Sequence, residues 1–63
     1  MFTYTAVLSI DSQEIARKTG NDMEELYIWM LSQAHGKTGH FYGYIVDNET
    51  KERVKSFRTN SVE

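Results

Sequence analysis

One stretch of this chain, Asn21 to Gly36, carries apolar residues at helical spacing, and segments that alternate with period two lie on either side of it. No other feature narrows the fold as far. In "NDMEELYIWMLSQAHG", Met23, Leu26, Tyr27, Met30, Leu31 and Ala34 share an arc of about 140° at about 100° per residue, the width of a core-facing stripe. Ile28 and Trp29 lie outside it, on opposite flanks. Asn21 is placed to cap the helix with Glu24 three residues on, and Asp22, Glu24 and Glu25 complement its positive start. Gly36 is placed to end the helix in a left-handed cap.

"FTYTAVLSI" sets Phe2, Tyr4, Ala6, Leu8 and Ile10 on one side and Thr3, Thr5, Val7 and Ser9 on the other, which is strand patterning. "DSQEIARKTG" allows two structures. Asp11 to Glu14 could open a short helix ending at Gly20. Its only apolar residues, Ile15 and Ala16, favour instead a turn at Asp11–Gln13 and an edge strand over 15–19, guarded by Arg17 and Lys18. "GHFYGYIVDNETKERVKSFR" predicts a hairpin turning at Asp47–Thr50, because Asp and Asn bond their own backbone. Centred there, the turn sets Ile45 opposite Val54, Tyr44 opposite Lys55 and Tyr42 opposite Phe57. Residues 59–63 read as a frayed tail. The order is β-β-α-β-β, an α+β fold in which one helix covers one face of an antiparallel-dominated sheet.

At 63 residues the chain makes one domain, 1–63, and without cysteine it has no disulfide to supplement a small core. Good packing or self-association must supply the difference, so a homodimer is expected. The net charge of −2 does not mark the whole chain as a nucleic-acid binder. No apolar run approaches the length of a membrane span, and "MFTYTAVLSID" lacks the basic flank and cleavage site of a secretory signal. These features point to a cytoplasmic protein with no membrane partner. The sequon Asn48-Glu49-Thr50 is then incidental.

Gly36-Lys37-Thr38 has the composition of a phosphate loop, but position 31 is Leu where that motif needs glycine, and the segment leaves a helix instead of entering one. It reads as a helix cap and connector. His35 and His40 lack further ligands nearby, so no metal or other cofactor is expected, and His35 suits the negative end of the helix. No nucleophile and base stand at a spacing that suggests catalysis, so no catalytic residues are expected.

What remains is an aromatic hairpin with two faces. In the register above, Phe41, Gly43, Ile45, Val54 and Ser56 share one face, and glycine and serine there leave room for a helix bearing Tyr27 and Met30. The other face holds Tyr42, Tyr44, Val46 and Phe57 beside His40, Arg53 and Lys55, with nothing to cover it. An uncovered patch of this kind marks an interaction surface, with Trp29 as an outlying anchor. Its occupant could be a second copy or a host protein that also meets the acidic patch Asp22, Glu24 and Glu25. The alternative is nucleic acid, since Lys51, Arg53, Lys55 and Arg58 lie on or beside the last strand.

The segments "LYIWML" and "YIVDNETKERV", within a pattern that covers nearly the whole chain, resemble short proteins of bacterial phages and integrative elements. The resemblance carries no motif residues and no activity. It implies a small accessory protein that acts by occupying a surface, as inhibitors of host machinery do.

Overall fold

A computed structural model of the chain describes residues 2–36 and 39–60. Strands β1 (Tyr4–Ile10) and β2 (Gln13–Gly20) form a hairpin, helix α1 (Met23–Ala34) follows, and β3 (His40–Asp47) and β4 (Arg53–Asn60) form a second hairpin. The four strands make one antiparallel sheet in the order β2-β1-β3-β4, with β1 and β3 central. This is the expected β-β-α-β-β arrangement, and residues 12–19 fall in the β1–β2 hairpin and not in a helix. The first turn is tight: Asp11 and Ser12 both take positive φ, 51° and 74°, the conformation of a two-residue turn whose twist matches the strands. Asp11 also holds the start of β3, donating its N–H to the His40 carbonyl at 2.9 Å and accepting the His40 N–H on its carboxylate at 3.1 Å.

Asp22, one residue later than expected, caps α1: its carboxylate accepts from the N–H groups of Glu24 and Glu25 at 3.0 and 3.4 Å. Asn21 instead accepts the Thr3 N–H at 2.9 Å, while Asn48 donates to the Phe2 carbonyl, so the N-terminal segment fastens the helix start to the second turn. The helix ends as expected, with His35 donating to the Leu31 and Ser32 carbonyls and Gly36 at φ +78°. The phosphate-loop comparison included Lys37 and Thr38, which lie outside the described residues, as do 61–63 of the expected tail. Thr59 and Asn60, also assigned to that tail, pair with Phe41 and His40 as the end of β4.

The core lies between α1 and one face of the sheet, where Ala6, Leu8, Leu26, Met30, Phe41 and Ile45 are buried. The helix is rotated from its predicted orientation. Trp29 packs against the core, whereas Leu31 is 42% exposed. The buried stripe is therefore centred nearer Leu26 and Met30, a turn of about 40° on a helix with about 100° per residue. Trp29 leans toward β2, its ring 5.7 Å from the Lys18 ammonium. Tyr27 leans toward β4, meeting the Phe57 ring edge-on at 5.9 Å.

Each hairpin contains a bulge, and together they decide which side chains share a face. The β3–β4 register begins as expected with Val46 opposite Arg53, but an extra residue at Val54 then sets Ile45 opposite Lys55, Tyr44 opposite Ser56 and Gly43 opposite Phe57. A shift of one residue sends every later side chain of the strand to the other side. Phe57 and Lys55, expected on the open face, lie on the helix side, and Ser56, expected beneath the helix, lies on the open side. The Phe57 ring and the Met30 sulfur fill the space above Gly43, where an added Cβ would stand 2.9 Å from that sulfur. In β2, Ile10 and Ser9 pair with Gln13 and Glu14, Ile15 is the extra residue, and Leu8 and Val7 pair with Ala16 and Arg17.

Candidate functional site

Among the described residues, no element packs on the second face of the sheet. Residues paired across neighbouring strands share a face, so this surface can be read as rungs. Thr19, Thr5, Val46 and Arg53 form one rung; Arg17, Val7, Tyr44 and Ser56 the next; Glu14, Ser9, Tyr42 and Arg58 the third. The tyrosines stand on a central strand and the arginines on the two edges.

The side chains cover one another. Arg53 lies 4.0 Å from the centre of the Tyr44 ring and 5.7 Å from that of Tyr42, and also donates to the Tyr42 hydroxyl. Arg58 lies 5.6 Å from the Tyr42 ring. The two rings are 5.8 Å apart and tilted by 45°. Guanidinium over a tyrosine face is an attractive arrangement that leaves the planar cation accessible. Beneath this layer, Val7 between Arg17 and Tyr44 is only 4% exposed. Glu14 is the one carboxylate on these rungs, and it is engaged: Arg17 grips both of its oxygens, at 3.0 and 3.1 Å. Those hydrogen bonds hold the Glu14 carboxyl below its ordinary value and raise the Arg17 guanidinium further, with the partner's charge adding to both effects.

At one end of the face a shallow pocket of about 530 Å³ opens beside Tyr42 and Arg58. It brings Ser9 and Ser12 of the first hairpin together with His40, which is remote from them in sequence. The serine hydroxyls and the Arg58 guanidinium among its lining residues supply hydrogen-bond donors, which suits an anion or a polar ring edge.

Of the residues singled out from sequence, Tyr42, Tyr44, Val46, Arg53 and Arg58 meet on this face. Phe57 and Lys55 do not, and the Lys55 ammonium sits 4.6 Å from the Tyr27 ring on the helix side. Trp29 is packed on the opposite side of the sheet, and Lys51 lies in the second turn at φ 68°. Asp22 is occupied in capping, while Glu24 and Glu25 are exposed in the first helical turn at the far end of the helix from His35. Among the described residues no group of His, Asp and Glu is assembled that could hold a metal ion, and no helix is long and apolar enough to cross a membrane. Sequence reasoning missed Arg17, Ser9 and Ser12. No residue pattern announced the bulge at Ile15 that turns Arg17 to this side.

Comparisons with protein-family models, with curated proteins and with solved structures find no match.

Proposed function

We propose that this chain is a non-catalytic binding protein whose uncovered sheet face receives an anionic partner. The observation that carries this reading is the charge separation on that face. Arg17, Arg53 and Arg58 border Tyr42 and Tyr44, and the one carboxylate beside them is neutralised by Arg17. The chain is nonetheless acidic overall, with a net charge of −2, because its carboxylates gather elsewhere, as at Asp22, Glu24 and Glu25. A local field of this kind guides an oppositely charged partner to one surface. The likeness to short phage and integrative-element proteins points to the same mode of action, by occupation of a surface.

Heparin chromatography at low salt and neutral pH tests the proposal. The chain is expected to be retained despite its net negative charge, and to be released by salt. Arg53→Glu with Arg58→Glu should abolish retention, whereas Lys55→Glu, on the helix side, should leave most of it. Flow-through of the parent protein at low salt would overturn the reading.

A second reading, self-association, draws on a different surface. Ile28 and Leu31, 56% and 42% exposed, stand one helical turn apart on α1. A symmetric pairing through the open sheet face would instead bring the guanidinium groups of both copies together, which disfavours it. Light scattering across a hundredfold concentration range distinguishes these cases: a dimer dissociated by Ile28→Asp with Leu31→Asp assigns self-contact to the helix.

A further inference from the structure

Resting on the reading of this face as an anion-binding surface, we infer that its partner is single-stranded nucleic acid, with bases against the Tyr42–Tyr44 layer and phosphates on Arg53 and Arg58.

The first support is the pair of bulges. Had the initial pairing of each hairpin continued without an extra residue, Arg17 would have faced Ala6 and Arg58 would have faced Phe41, both on the helix side. The bulges at Ile15 and Val54 move both arginines onto the open face, one on each edge strand. Bulges re-aim side chains in this way and are common beside functional sites. A face needing only to stay soluble could carry any polar residue at these positions.

The second support is the kind of surface that results. An acidic peptide needs cations but gains little from aromatic planes. Bases need planes, and here two tyrosines on a central strand lie 5.8 Å apart with Arg53 spread across both. Unpaired bases stack on tyrosine rings and on guanidinium planes alike, and flat sheets carrying such residues hold single strands. The pocket of about 530 Å³ beside Tyr42 adds room for one further base or phosphate, with Ser9 and Ser12 as donors. A duplex keeps its bases stacked internally and can use only the charges.

Fluorescence anisotropy with labelled oligothymidylate and oligouridylate of about 12 nucleotides, within the usual footprint of a single-strand platform, tests the inference. A duplex of equal length, heparin and polyglutamate serve as competitors. Both single strands should bind, with the duplex at least tenfold weaker. With two phosphate contacts, the slope of log K against log salt should be about −1.4, since each contact on a single strand contributes about −0.7. Tyr42→Leu with Tyr44→Leu should weaken binding by about ten- to a hundredfold while leaving that slope unchanged, because stacking is lost and charge is kept. Tyr42→Phe with Tyr44→Phe, which retains the rings, should restore most of the affinity and guards against a folding artefact. Duplex binding equal to single-strand binding, or indifference to the Leu variants, would overturn the inference and leave a general polyanion surface. Preference for polyglutamate would assign the face to an acidic protein. Failure of every anion to bind at low salt would remove the underlying reading as well.

Discussion

Leu8, Phe41 and Ile45 alternate along the same two central strands with Ser9, Tyr42 and Tyr44, yet the two sets occupy different environments. The first set is buried beneath α1 with Met30 and Leu26. The second remains half-exposed, with Tyr42 and Tyr44 lying beneath Arg53 and Arg58 of the edge strand β4. One face is closed by apolar packing, which depends on volume and holds the fold together. The other is covered by long polar side chains that a ligand can move aside at little cost. Stability and binding are therefore expected to separate by strand parity, a division that substitutions on neighbouring residues can test.

The largest effect should come from the closed face. Leu8→Ala or Met30→Ala leaves a cavity in a fully packed site and should cost about 2–5 kcal/mol, enough to unfold much of a domain this small. Urea denaturation followed by circular dichroism measures it, and a loss below about 1 kcal/mol would show that the helix is loosely seated. Gly43→Ala should be next, at about 1–3 kcal/mol, because the new methyl group meets the Phe57 ring and the Met30 sulfur.

The contrast between Phe57 and Tyr44 sharpens the comparison further. Phe57→Ser should destabilise the fold by about 2 kcal/mol, less than a fully buried aromatic would, and blue-shift the Tyr27 environment in near-ultraviolet spectra. Tyr44→Asp should leave helical content and most of the stability intact while removing retention on heparin. If Phe57→Ser leaves the stability unchanged, the β4 register is the one without the bulge, which would put Phe57 on the open face opposite Tyr42.

The smallest effect concerns Glu14. Its carboxyl is held below the ordinary value of 4.5 by Arg17, so its contribution is present above that value and is lost as pH falls through the lowered one. The pair is fully exposed, so Glu14→Gln should barely change stability at neutral pH. Acid titration of the thermal midpoint should lose only a shallow component in that variant. A steep loss would mean that the pair anchors the β2 bulge.

The expectations that succeeded depended on neighbouring residues. Alternation in "FTYTAVLSI" predicted both faces of β1, because successive strand side chains point opposite ways wherever the strand is placed. Alternation likewise grouped Phe41, Gly43 and Ile45 on one face, and the room left by Gly43 and Ser56 assigned that face to the helix, although Ser56 lies on the open side. The helix and its glycine cap were readable because caps act within one turn, although Asn21 and Asp22 are chemically similar candidates and only the contact with Thr3 decided between them. The helix orientation was less accurate: Leu31 is more apolar than its position requires, and Trp29 found cover from Lys18 on a strand remote in sequence.

The sequence by itself determined the helix, the second hairpin and the two alternating sides of each central strand, since these follow from periodicity and local backbone preference, while residues 12–19 stayed open between strand and helical turn. Tertiary structure decided which side of the sheet Arg17, Lys55, Phe57 and Arg58 occupy. That choice rests on one extra residue in each hairpin, at Ile15 and Val54. A bulge is stabilised by what its displaced side chains meet, here Phe57 against Tyr27 and Met30, and these partners meet only once the sheet has formed around them.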